Sequence, residues 1–103
     1  MSGVSARLRT GHLLRLCRYL DMAIISMWAS SGRAHRTLGM AQACAGETLP
    51  GGAEEETLGK VRELLAEARE FYRAGDFAPA MARMRVAADL CSLRIIELAG
   101  ERR

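Results

Sequence analysis

Apolar residues recur at alternating intervals of four and three near the C-terminus, which is the spacing of one face of an α-helix. Asp76 precedes this stripe and is of a residue type that caps helix N-termini. Gly100 follows it at a position typical of helix ends. The pattern predicts a helix over about 77–99 with one buried face. The stripe consists of Phe77, Met81, Met84, Ala88, Cys91, Ile95 and Leu98.

A second amphipathic stripe precedes the first and predicts a helix over about 53–74. Three glutamates, 54–56, fall in its first turn, where negative charge favours the positive end of the helix dipole. Only Gly75 and Asp76 separate the two helices, so we expect an antiparallel αα-hairpin with facing stripes. The second stripe consists of Leu58, Val61, Leu65, Ala68 and Tyr72.

A third stripe predicts a helix over about 12–29, which would supply a further wall for the core. The Ser-Ser-Gly sequence at 30–32 interrupts it. A weaker pattern over 33–45 predicts a shorter fourth helix. The third stripe consists of Leu13, Leu16, Leu20, Ala23, Met27 and Ser30.

The remaining segments are expected to be a flexible N-terminus, 1–11, and one linker, 46–52, which contains Pro50. No stretch of useful length shows the period of two that is typical of strands. A chain of 103 residues has the usual size of one domain. We therefore predict an all-α single domain over 1–103: a small antiparallel helical bundle of three main helices and a short fourth, built on the C-terminal hairpin.

The small core favours self-association. A domain of this length buries only about 65% of its unfolded surface, so a partner chain can add stability. Apolar side chains occupy more than one side of the segment 13–28, and one hairpin cannot cover them all. The candidate protein interface consists of Leu14, Ile24, Ile25, Met27 and Trp28.

The charge of the chain is unevenly distributed and suggests an alternative function. The formal net charge is +3, and residues 1–46 carry six arginines against the single acidic residue Asp21. Arginine suits phosphate contacts, so a weak RNA or nucleic-acid binder is the second hypothesis. The set lacks interleaved aromatic residues and a known RNA-binding motif. Its candidate contacts are Arg7, Arg9, Arg15, Arg18, Arg33 and Arg36.

The cysteines and histidines predict neither a disulfide framework nor a metal site. Cys17, Cys44 and Cys91 are odd in number and form no CxxC pair, and His12 and His35 are not at short ligand spacing from them. We interpret the cysteines as small buried hydrophobes. No metal and no cofactor is predicted, and free thiols fit a cytoplasmic location. The apolar runs are too short to span a membrane.

Two helical families resemble parts of this chain. Ala68, Tyr72, Gly75-Asp76-Phe77, Ala80 and Ala87 stand where the helix-turn-helix of a single tetratricopeptide repeat has its small, turn and aromatic residues. Residues 18–27, with Tyr19-Leu20, and residues 63–100 resemble an archaeal family of small helical bundles known as domain of unknown function 357. Both resemblances imply a helical hairpin, and neither implies an activity.

A third resemblance concerns catalysis. Arg7 and His12 match the Arg-x4-6-His motif of the HEPN ribonucleases, in which histidine serves in acid–base chemistry and arginine holds the phosphate. That family carries the motif in its last helix, whereas here it lies at the N-terminus. We therefore predict no enzyme and no catalytic residue. The predicted function is a non-enzymatic helical protein–protein interaction module that associates with itself or with another protein chain.

Overall fold

Four α-helices make up almost the whole molecule. The computed structural model describes residues 2–101, with side chains from Ala6 onward. Within that range no strand occurs, which confirms the prediction of a small all-α bundle. The short helix η1, Pro50–Gly52, lies in the linker between the second and third helices. The helices are α1 Ser2–Trp28, α2 Ala34–Gly46, α3 Glu55–Arg73 and α4 Phe77–Glu101.

The helices form a closed ring in which each packs against two neighbours. The pairs α3 with α4, α1 with α2, α1 with α4, and α2 with α3 are in contact. Because successive helices are joined by short connections, they run antiparallel to one another. The molecule measures 46 × 21 × 19 Å, so its long dimension follows the two longest helices, α1 and α4.

The hairpin of α3 and α4 turns through a Schellman motif. Gly75 has a φ of 82°, and its N–H donates to the Tyr72 carbonyl at 3.1 Å. The Asp76 N–H donates to the Phe71 carbonyl at 2.8 Å. These two bonds satisfy the last carbonyls of α3, and glycine is favoured because the left-handed conformation strains residues that carry a Cβ.

The core is aliphatic and all four helices contribute to it. The three predicted stripes supply most of its side chains, and α2 adds a further set centred on Leu38 and Ala41. Leu49, from the linker, is also buried. The largest fully buried apolar side chains are Leu13, Leu16, Leu20, Met27, Leu38, Leu58, Leu65, Met84 and Leu98.

The first helix begins about ten residues earlier than expected. The segment 1–11 is expected from the sequence to be flexible, but it is helical from Ser2, and residue 1 lies outside the described residues. Ala6 is buried and Arg9 pairs with Glu54. These contacts attach the segment to the rest of the bundle. The other bounds differ from the expected ones by one or two residues, with α4 continuing through Gly100 to Glu101.

No helix among residues 2–101 combines the length and the apolar character needed to cross a bilayer.

Candidate functional site

The five candidate interface residues divide between the core and the surface. Met27 is fully buried, so the prediction that it faces a partner is wrong. Ile24 is half-buried against the core. Leu14, Ile25 and Trp28 are 52%, 68% and 58% exposed and are the three that remain available.

Six exposed residues of α1 line up on the side opposite its core stripe. We call this line the outer seam. Its members follow one another at intervals of three and four residues, so they lie on one face of the helix. All six are exposed. The outer seam consists of Gly11, Leu14, Arg18, Asp21, Ile25 and Trp28.

Trp28 marks the end of the outer seam and touches the neighbouring helix. Its ring makes an edge-to-face contact with Phe77 at the start of α4, with ring centroids 5.1 Å apart. This contact restricts the indole, although more than half of the residue stays exposed. A large aromatic ring that is held in place but uncovered loses little conformational entropy when it binds a partner.

The other long helix also exposes apolar side chains. Val86, Leu93 and Ile96 of α4 are 48%, 57% and 66% exposed. They are spaced by seven and three residues and so lie on one side of α4. Because α4 packs antiparallel beside α1, its C-terminal half lies beside the N-terminal half of α1. Leu93 lies toward the start of α3, whereas Ile96 is one helical turn from Ser92, which contacts Cys17 of α1.

The candidate nucleic-acid contacts do not gather into one patch. Arg9 is half-buried and pairs with Glu54 at 3.4 Å, and Arg15 pairs with Glu47 at 3.8 Å. The other four arginines are exposed. Two of them lie on α1, and the other two lie beyond its C-terminal end, around the start of α2. From Arg7 to the end of α1 at Trp28 the helix rises about 32 Å, so the set is spread along that length. Those four are Arg7, Arg18, Arg33 and Arg36.

Arg7 and His12 do not form a catalytic pair. His12 is 1% exposed and faces α2, whereas Arg7 is exposed to solvent. The structure therefore separates the two groups that the HEPN-type motif would need at one phosphodiester. It gives no geometric support to a ribonuclease.

His12 instead lies beside two groups that are distant in sequence. Its Nε2 donates to the Cys44 carbonyl at 2.8 Å and lies 3.8 Å from Cys44 Sγ. Glu47 Oε1 is 4.0 Å from the same nitrogen. The three possible ligand atoms, His12 Nε2, Cys44 Sγ and a Glu47 oxygen, all lie within 4.8 Å of one another.

The sequence does not predict this cluster, because His12 is 32 positions from Cys44 and the ligands share no short spacing. His12 is on α1, while Cys44 and Glu47 are at the end of α2. The available signal was Cys44-x-x-Glu47, which places two ligand types one helical turn apart. Burial raises the pKa of the Cys44 thiol, and the negative charge of Glu47 adds to this effect.

A buried carboxylate joins three segments at the start of α3. Glu54 has a φ of 62° and a side chain that is 1% exposed. Arg94 binds it through both carboxylate oxygens, and Arg9 approaches it at 3.4 Å. The pKa of Arg94 is raised by this hydrogen-bonded pair. The cleft around the cluster has cationic and acidic walls, so its charge selects neither an anion nor a cation.

The thiols of Cys17 on α1 and Cys91 on α4 interact with each other. The Cys91 thiol donates a hydrogen bond to Cys17, which lowers the pKa of Cys17 to about 7, while partial burial opposes the shift. The same hydrogen bond, together with burial, raises the pKa of Cys91. One thiol of the pair therefore ionises readily and the other does not.

No family model, no curated protein and no solved structure matches this chain. The resemblances to the archaeal domain family and to a single tetratricopeptide repeat stay predictions.

Proposed function

We propose that this protein is a helical interaction module that pairs with a second copy of itself through the outer seam of α1. The observation that carries the proposal is the self-complementary order of the seam. It places apolar residues toward its two ends and one residue of each charge at its centre. The partner that this order fits is the same helix running in the opposite direction.

An antiparallel pair of α1 helices related by a two-fold axis between residues 19 and 20 matches every seam position with a suitable partner. Arg18 lies opposite Asp21 of the second copy, so opposite charges meet twice at the centre. Leu14 lies opposite Ile25, and the small Gly11 leaves space for Trp28. Two-fold pairing of one surface with itself is the commonest form of protein oligomer.

The two charged residues at the centre have no ion-pair partner in the part of the chain that the structure describes. Neither Arg18 nor Asp21 makes an ion pair with another of the residues described. Their exposed charges are therefore free to meet across an interface. Such a pair fixes register and direction more than it adds affinity, and the apolar side chains supply most of the binding free energy.

The size of the surface fits a modest dimer. The outer seam extends for about 26 Å along α1. Stable interfaces bury about 800 Å² per partner, so the seam needs additional apolar area at its side. Ile96 of α4 is 66% exposed and lies one helical turn from Ser92, which contacts Cys17 of α1, so it can supply such area.

A charge-exchange experiment tests the proposal. Arg18→Asp places two aspartates opposite each other twice in the dimer, and Asp21→Arg does the same with arginines. Each variant alone is expected to dissociate at least about tenfold more readily than the original protein, as measured by analytical ultracentrifugation. An equimolar mixture of the two variants is expected to recover the dimer, because both central pairs are again of opposite charge.

The matched control is Arg36→Asp, which makes the same change of charge at an exposed site on α2. It is expected to leave the association unchanged. Arg18 and Asp21 suit this experiment better than Trp28, because Trp28 also packs on Phe77 within the monomer. A monomer at every accessible concentration, or a mixture that is no more dimeric than its components, contradicts the proposal.

A further inference from the structure

We propose that His12, Cys44 and Glu47 form a binding site for one zinc ion at the junction of α1 and the end of α2. The site lies on the side of α1 that faces α2, away from the outer seam, so it is independent of self-association. Its three ligands come from α1 and the end of α2, and His12 and Cys44 are 32 positions apart in the sequence.

The ligand atoms are nearly at the spacing that a metal ion requires. In a tetrahedral zinc site, with bonds of about 2.0–2.3 Å, neighbouring ligand atoms are roughly 3.3–3.6 Å apart. His12 Nε2 lies 3.8 Å from Cys44 Sγ and 4.0 Å from Glu47 Oε1. Closing these two distances needs movements below about 1 Å. The distance from Cys44 Sγ to the Glu47 oxygen is at most 4.8 Å and has to shorten by up to roughly 1.3 Å. Glu47 is half-exposed at the C-terminal cap of α2, so its side chain is free to make them.

The types of ligand select the metal. A thiolate, an imidazole and a carboxylate together are typical of zinc, and a sulfur ligand disfavours magnesium and calcium. Ionised Cys44 and Glu47 carry two negative charges, which balance the charge of a divalent ion in a partly buried site. Three protein ligands leave one position for water, and the exposed flank of Glu47 gives that position access to solvent.

The imidazole of His12 is buried, and its Nε2 faces the other two ligands. The residue is 1% exposed, its Nε2 donates to the Cys44 carbonyl and lies 3.8 Å from Cys44 Sγ, and its Nδ1 has no hydrogen-bond partner among the residues that the structure describes. An unpaired polar atom in a core is destabilising by about 1–3 kcal/mol, so an apolar residue would be better at this position. Zinc bound at Nε2 leaves Nδ1 unpaired, so only the Nε2 side of the ring, which faces Cys44 and Glu47, indicates a ligand.

The protons balance when the metal binds. Cys44 releases its thiol proton to solvent, and zinc takes its place on Sγ. The proton on His12 moves from Nε2 to Nδ1, which makes no hydrogen bond in the metal-free protein and so loses none. Nε2 then gives up its bond to the Cys44 carbonyl and offers its lone pair to the metal. Glu47 exchanges its ion pair with Arg15, at 3.8 Å, for the metal.

The test uses the full chain without an affinity tag, titrated with Zn²⁺ by calorimetry and with Co²⁺ by absorption spectroscopy. We expect one equivalent of Zn²⁺ to bind with release of protons, and the affinity to increase with pH. Co²⁺ is expected to show a sulfur-to-metal charge-transfer band, since one ligand is a thiolate. Cys44→Ser is expected to remove that band, and Glu47→Gln to weaken binding at least about tenfold.

Cys17→Ser is the matched control, because Cys17 is the most readily ionised thiol and hence the strongest competing ligand. It is expected to leave both the charge-transfer band and the stoichiometry unchanged. All three substitutions conserve side-chain size, and circular dichroism checks that each variant is folded. Absence of stoichiometric zinc binding overturns the proposal. A charge-transfer band that survives Cys44→Ser and disappears in Cys17→Ser also overturns it.

Discussion

Buried polar side chains join segments that are far apart in the sequence. Glu54 adopts a left-handed conformation that costs a non-glycine residue about 1–2 kcal/mol. Its carboxylate, in return, binds Arg94 of α4 and Arg9 of α1. A buried carboxylate without these partners would strongly destabilise the fold. One residue thus connects the start of α3 to both long helices.

The thiol of Cys17 is expected to react at a lower pH than an ordinary cysteine. Its pKa is lowered to about 7 by the hydrogen bond from Cys91. The rate at which iodoacetamide alkylates Cys17 in the folded protein, measured by mass spectrometry, is therefore expected to rise with pH and to have its inflection near pH 7. Because the folded-state pKa lies below the unfolded-state value, the shift stabilises the fold as pH rises above about 7 and this contribution is lost below it.

The hydrogen bond from Cys91 can be tested with two substitutions. Cys91→Ser keeps a donor beside Cys17, so the inflection is expected to stay low. Cys91→Ala removes the donor and is expected to move the inflection toward about 8.5, the usual value for cysteine. An inflection that is the same in both variants would show that Cys91 does not control the ionisation of Cys17.

Two helices end with the same backbone geometry but with different residues. At the end of α1, the Ser30 N–H donates to the Met27 carbonyl at 3.1 Å, and the Ser31 N–H donates to the Ser26 carbonyl at 2.9 Å. Ser30 has a φ of 50° and occupies the position that Gly75 has at the end of α3. Both ends are Schellman motifs, and only one has the favoured glycine.

Exchanging the residues at these two positions is expected to have opposite effects on stability. Ser30→Gly is expected to raise the free energy of unfolding by about 1 kcal/mol, because glycine adopts a positive φ without strain. Gly75→Ser is expected to lower it by a similar amount, about 1 kcal/mol. A Cβ at Gly75 would meet no atom within 4 Å, so the cost comes from the backbone alone. Chemical denaturation measures both values, and equal signs would contradict the argument.

At the scale of the whole molecule, one face of α1 packs in the core and the opposite face is exposed. The face toward the core carries Leu13, Leu16 and Leu20, which are fully buried. The outer seam carries Leu14 and Ile25, which are more than half exposed. A bundle of this size has a small core, so each buried leucine accounts for a substantial part of its stability.

Two leucines of α1 are expected to separate folding from association. Leu16→Ala is expected to lower the free energy of unfolding by about 2–5 kcal/mol, because it leaves a cavity in the core. Leu14→Ala is expected to change the stability of the monomer by less than about 0.5 kcal/mol, and to weaken self-association. Denaturation at low protein concentration measures the first quantity, and ultracentrifugation measures the second. A large loss of monomer stability in Leu14→Ala would place that residue in the core.

The sequence predicted the helices and the hairpin because their signals are local. The spacing of apolar residues and the single short turn at Gly75 require no knowledge of distant contacts. The first ten residues of α1 were not predicted. Their attachment depends on the pairing of Arg9 with Glu54, which lie 45 positions apart. Met27 was assigned to the interface, although its position in the third stripe already indicated burial.

The two candidate sites depend on both the sequence and the tertiary structure. The sequence alone determined which residues share a face of α1, because helical geometry fixes the order of the outer seam. Only the tertiary structure decided which face stays exposed, since that depends on where α2 and α4 pack. The tertiary structure also brought His12 to Cys44 and Glu47. A metal site of this kind needs distances between side chains on separate helices, and spacing along one chain does not contain them.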